Sequence, residues 1–73
     1  MKKLLGRKAK VTSDNENYDS FRDKVLTITH VARSTKDHPG YDNSLEGEAL
    51  CDFKDQDGNE IPCSLYEYEF KLV

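Results

Sequence analysis

Residues 24–32, KVLTITHVA, constrain the fold more than any other stretch of the chain. Their valines, isoleucine and threonines lose rotamer freedom in a helix but pack well on a pleated surface. Strand alternation puts Leu26, Ile28 and His30 on one face and Val25, Thr27, Thr29 and Val31 on the other. Both faces are moderately apolar, which predicts a central strand.

The flanking sequence reads as shorter strands separated by turn formers. Residues 9–12 form a first strand after Gly6, and the polar run 13–20 forms a long loop. Residues 33–47, with His38-Pro39-Gly40-Tyr41 and Asp42-Asn43-Ser44, make a second long loop. Residues 48–54 form a third strand, with Leu50, Asp52 and Lys54 opposite Ala49, Cys51 and Phe53. Asp57-Gly58 turns a hairpin into a fourth strand over residues 59–63. Pro62 cannot donate one ladder hydrogen bond, so this strand lies at an edge or kinks there. Ser64-Leu65-Tyr66-Glu67 fits a capping box and predicts one helical turn. In the closing strand Tyr66, Tyr68, Phe70 and Leu72 alternate with Glu67, Glu69 and Lys71. The expected core is Val11, Leu26, Ile28, Val31, Leu50, Phe53, Ile61, Leu65 and Phe70.

With 73 residues, 36% of them apolar, and no Trp, the core is thin and leaves little room for a deep cofactor pocket. Five short strands cannot cover both faces of an open sheet, but they can curl into a small, partly open barrel. The expectation is one all-β domain over residues 1–73, with residues 1–5 as a flexible basic start. The order of strand, long first loop, strand, long second loop, hairpin, helical turn and last strand resembles the SH3-like small barrels. The resemblance rests on residues 6–11, 21–31, 50–62 and 65–69 and covers most of the chain. It implies a five-stranded SH3-like barrel with a binding role. Asp14, Glu16, Asp19 and Asp23 echo the acids in the first loop of the peptide-binding subtype. The Trp that holds polyproline in that subtype is missing here.

The net charge is −3, where a general nucleic-acid binder is usually basic. The charge is uneven. Lys2, Lys3, Arg7, Lys8 and Lys10 open the chain without an acid among them. From residue 42 onward only Lys54 and Lys71 offset Asp42, Glu46, Glu48, Asp52, Asp55, Asp57, Glu60, Glu67 and Glu69. Gly6-Arg7-Lys8 interrupts the apolar Leu4-Leu5 start, so no signal-peptide core forms, and no run is long enough for a membrane span. A cytoplasmic protein with reduced, unbridged Cys51 and Cys63 is expected.

The candidate chemistries are sparse. His30, His38, Cys51 and Cys63 show no paired ligand spacing, so no metal site and no cofactor are expected. Asp55-x-Asp57-Gly58-Asn59-Glu60 looks like a short calcium loop but lacks the length and flanking helices of one, and reads as a hairpin turn. A Cys–His dyad would need a thiolate, and both cysteines sit in apolar strand contexts that disfavour it. The chain is therefore read as a non-catalytic binding module that docks on a larger protein partner. Tyr18, Phe21, Tyr41 and Asp42 in the two loops, with Asp55 and Asp57 in the hairpin, are its expected contact residues. A small acidic inhibitor, such as a phage-type anti-defence protein that imitates phosphate spacing, is one form of that reading. The alternative is a nucleic-acid-associated barrel using Lys2, Lys3, Arg7, Lys8 and Lys10, continued by Arg22 and Lys24.

Overall fold

The computed structural model describes residues 3–45 and 47–73. Five antiparallel strands form one sheet: β1 (Lys8–Val11), β2 (Leu26–Ala32), β3 (Leu50–Lys54), β4 (Glu60–Tyr66) and β5 (Phe70–Leu72). Across the sheet the order is β4-β3-β2-β1-β5, so the β-branched segment is the central strand. Three 3-10 helices, Glu16–Phe21, Asn43–Leu45 and Glu67–Glu69, are the helical elements among the described residues. The chain is all-β, and its element order is the expected one. β4 and β5 end the sheet on opposite edges, so hydrogen bonds do not close it into a barrel. No described helix is long and apolar enough to cross a membrane.

Several boundaries differ from the sequence expectation for local reasons. The first loop is not wholly irregular. Asn15 accepts the Asn17 N–H at 2.9 Å and caps the helix Glu16–Phe21. In a helix with three residues per turn, Tyr18 and Phe21 fall on the same face, and both are buried there, 5.7 Å apart. β4 runs past Cys63 to Tyr66, because Ser64 pairs opposite Asp52 and its hydroxyl donates to that carboxylate instead of capping a helix. The helical turn therefore starts at Glu67. Glu69, not Glu67, reaches back, with its carboxylate accepting the Tyr66 N–H at 3.0 Å. At the other end Leu4 is buried in the core. The Gly6 N–H donates to the Ile28 carbonyl and the Ile28 N–H to the Arg7 carbonyl, each at 2.9 Å. The chain start is thus anchored from Leu4 onward; Met1 and Lys2 lie outside the described residues.

Two irregularities set the register. Between Ile28 and His30 the β2–β3 ladder shifts, which leaves Thr29 as the extra residue with its hydroxyl buried and without a hydrogen-bond partner. Between Asp52 and Lys54 the β3–β4 ladder shifts again, opposite the stretch that contains Pro62. The proline lies on an edge strand at an irregularity, as its missing N–H requires. Cys51 consequently faces Leu65 and not Cys63, and both thiols are free.

Apolar side chains collect on both faces of the sheet. Leu4, Ala9, Val11, Tyr18, Phe21, Leu26, Ile28, Ala49, Cys51, Phe53, Leu65 and Phe70 form the main core. A smaller cluster of Ala32, Tyr41 and Leu50, with Tyr66 against it, forms under the second loop. Leu50 and Cys51 are adjacent in β3, so alternation sends them into different clusters. Of the expected core, Val31 and Ile61 are only partly buried. Val31 follows the β2 bulge, and Ile61 lies in the offset stretch of the edge strand beside Pro62.

Ile28 is 1% exposed on the central strand. Ile28→Ala is expected to cost about 2–5 kcal/mol, and Ile28→Val about 0.5–1.5 kcal/mol, in a urea titration. A small domain has about 5 kcal/mol or little more in hand, so the alanine variant is expected to be largely unfolded at room temperature. Parent-like stability of Ile28→Ala would contradict this core assignment.

Candidate functional site

The aromatic residues of the two loops turn inward. Tyr18 is 9% exposed and Tyr41 5%. The Tyr18 hydroxyl donates to the Glu69 carboxylate at 3.0 Å. The Tyr41 hydroxyl donates to the Glu48 carbonyl at 2.6 Å, with the Leu45 carbonyl at 3.0 Å. Both side chains act as lids over the two apolar clusters, with their polar tips satisfied. Tyr18, Phe21 and Tyr41 therefore do not project as the contact residues expected from the sequence. A core this thin recruits the nearest large side chains, and in this chain those are the loop aromatics.

The acids divide in the same way. Asp55 accepts the N–H groups of Asp57 and Asn59 at 2.9 and 3.0 Å, so its carboxylate builds the hairpin turn. Gly58 supplies the left-handed position of that turn, with φ +87°. Asp57 is exposed at the tip. Asp42 is exposed and charged. Hydrogen bonds from the Ser44 hydroxyl and N–H, at 2.7 and 2.9 Å, hold its pKa below the usual carboxylate value. The Asp42 N–H donates to the Tyr66 hydroxyl at 2.8 Å, which seats the second loop against the end of β4.

Tyr66 leads to the one aromatic left largely outside among the described residues. Tyr68 is 63% exposed, with its ring parallel to that of Tyr66 at a centroid separation of 6.0 Å. Loss of hydration, then the charges of Glu69, Tyr66, Glu48 and Asp42, push its phenol pKa up. Sequence alternation placed Tyr68 on the apolar side of a last strand. It instead sits inside the helical turn Glu67–Glu69, where alternation does not apply.

A second constellation joins residues far apart in sequence. Asp52 lies between two histidines, with His30 Nδ1 at 3.4 Å and His38 Nε2 at 4.0 Å. Ser64 Oγ donates to Asp52 and lies 3.3 Å from His38 Nε2. The set has the residue types of a nucleophilic triad but not its order. Gly40 N–H donates to His38 Nδ1 at 3.0 Å, which places the neutral ring's proton on Nε2, facing Ser64. The Ser64 proton is directed to Asp52. In this hydrogen-bond arrangement the imidazole faces Ser64 as a donor, not as the acceptor that activates a serine. The cluster ties the second loop to β3 and β4. Among the described residues no group of His, Cys, Asp and Glu is arranged to hold a metal ion.

The cations of the first segment are exposed at Lys3, Arg7, Lys8 and Lys10, while Lys2 lies outside the described residues. Arg22 is consumed within the first loop. It pairs with Asp19 and donates to the carbonyls of Ser13 and Asn15 at 2.9 and 2.7 Å.

Two buried groups make stability sensitive to base. Burial, then the hydrogen bond to Glu69, raises the Tyr18 pKa from 10.0 to about 12. Burial, then the charge of Glu67, raises Cys51 from 9.0 to about 12. The unfolded chain releases both protons first, so this stability is intact at neutral pH and is lost as pH rises from about 9 to about 12. Melting temperatures followed by circular dichroism should fall steadily across that window. The fall should be shallower in Tyr18→Phe and Cys51→Ala. A parent and variants that decline in parallel would contradict the assignment.

No protein-family model, curated protein or solved structure matches this chain.

Proposed function

We propose that this protein is a non-catalytic binding module, an SH3-like small barrel that docks on a larger protein through its Tyr68 face. The observation that carries the reading is Tyr68 itself, 63% exposed while every other described Tyr and Phe is at least partly covered. Tyr is favoured at interfaces because it joins a large contact area to one polar tip. Asp42 and Glu48, whose negative charges act on the Tyr68 phenol, favour a basic counterpart. An arginine or lysine side chain can lie over the Tyr68 ring and reach an acid beside it. The Ser44 bonds keep Asp42 ionised for that role. The proton directions at Ser64 and His38 support the non-catalytic half of the reading.

The test is capture of a partner by the immobilised chain, with the partner identified by mass spectrometry and its affinity then measured. Tyr68→Ala is expected to keep the parent melting temperature and to weaken binding by about 1–3 kcal/mol, as for an aromatic anchor. Asp42→Asn should weaken it less. Equal binding of the same partner by parent and Tyr68→Ala would overturn the reading.

A further inference from the structure

The sheet register separates charges that the sequence leaves mixed. Lys8 pairs with Thr27, and Thr27 pairs with Lys54, so these residues form one row across β1, β2 and β3. Lys10, two residues along β1 on the same face, pairs directly with Lys71 of β5. Their strand neighbours Ala9, Val11, Phe70 and Phe53 point into the core, so the four lysines lie on the solvent face. Lys54 and Lys71 are the only cations of the acidic half, residues 42–73. The fold brings both beside the basic first strand.

This arrangement has a cost. Like charges directly opposite on an antiparallel pair destabilise it, and Lys10 opposite Lys71 is such a pair. The ion pair of charged groups among the described residues is Arg22–Asp19, and Asp52 contacts His30 and His38, so none of these engages the lysines. Acids border the face at both sides: Glu60 pairs opposite Lys54 and Asp55 borders the shallow depression between Lys8, Thr27 and Lys54, while Glu67 lines a second depression with Phe70, Lys71 and Leu72. Among the described residues no acid is within ion-pair distance of Lys8, Lys10 or Lys71, and Lys10 opposite Lys71 stays a like-charge pair.

We infer that the Lys8–Lys10–Lys71–Lys54 face binds the sugar-phosphate backbone of a nucleic acid. Phosphates placed between Lys10 and Lys71 turn their repulsion into attraction, and the Thr27 hydroxyl at the middle of the row adds a donor. The contact rests on phosphates and offers no exposed aromatic for stacking; Gln56, which lines the depression with Lys8, Thr27 and Lys54, is the side chain there with paired donor and acceptor. This surface differs from the Tyr68 face, and its failure leaves that proposal standing. It also differs from the first-segment site expected from the sequence, because Lys54 and Lys71 replace Lys2 and Lys3 as the partners of Lys8 and Lys10.

The experiment is fluorescence anisotropy of the full chain with a labelled mixed-sequence duplex and the corresponding single strand, over a salt series. Binding is expected at about 50 mM salt, with log K falling against log salt at a slope of about −2 to −4 for three or four phosphates neutralised. Lys10→Gln/Lys71→Gln should weaken binding at least about tenfold and flatten that slope by about 1.4–1.8. Its melting temperature should be unchanged or higher, because the like-charge pair is gone. Lys54→Gln/Lys71→Gln serves as a second variant should the first fail to fold, with the same loss expected. Lys3→Gln/Arg7→Gln should bind nearly as the parent does. Failure of both nucleic acids to bind at that salt would overturn the inference. So would binding lost in Lys3→Gln/Arg7→Gln but kept in Lys10→Gln/Lys71→Gln. So would binding to phosphatidylserine vesicles in place of nucleic acid.

Discussion

The carboxylate and carbonyl of Glu69 hold together what the sheet's hydrogen bonds leave open. One carboxylate oxygen accepts the Tyr66 N–H and the other accepts the Tyr18 hydroxyl, both at 3.0 Å. The Glu69 carbonyl accepts the N–H groups of Thr12 and Ser13 at 2.9 and 3.2 Å. A single residue thus joins the end of β4, the helical turn, the exit of β1 and the helix of the first loop. Without those bonds the sheet is an open five-stranded ribbon, and its Tyr18 and Phe21 lid has no anchor at the far edge. The bond also helps raise the pKa of Tyr18, so the same contact links the architecture to the alkaline limit of stability.

Thin composition governs how the surface is divided. Tyr18 and Phe21 cover one apolar cluster and Tyr41 covers the other; the Glu69 carboxylate satisfies the Tyr18 hydroxyl and the carbonyls of Leu45 and Glu48 satisfy that of Tyr41. Left outside after the clusters are covered are Tyr68, the Asp42 carboxylate near it, and the lysines of β1, β3 and β5. The two proposed contacts draw on this remainder. They differ in chemistry, since one offers an aromatic ring near acids and the other offers ammonium groups on the solvent face of the sheet.

Much of the fold was legible in the sequence because it rests on short-range rules. The β-branched run of β2, the Asp57-Gly58 hairpin and the opposite facing of Leu50 and Cys51 follow from alternation and turn chemistry. The placement of Pro62 on an edge strand follows from its missing donor. The site was much less legible. Burial of Tyr18 and Tyr41 depends on where each loop crosses the sheet, and nothing local encodes that. The shifts at Thr29 and opposite Pro62 decide that Cys51 misses Cys63 and that Asp52 meets Ser64 and both histidines. The Lys10–Lys71 pairing joins the chain's two ends, and periodicity gives each strand's face but not its neighbour. For Tyr68, alternation was carried through a segment that had become helical.

The most direct test of this account is a double-mutant cycle between Tyr18 and Glu69, using Tyr18→Phe, Glu69→Ala and the pair in urea titrations. A part-buried hydrogen bond to a carboxylate that also organises the turn predicts a coupling energy of about 1–3 kcal/mol. The Glu69→Ala single variant should be the more damaging, because it also frees the Tyr66 N–H. Additive effects within about 0.3 kcal/mol would mean that the two residues act independently, contradicting the account of Glu69 as the junction of the fold.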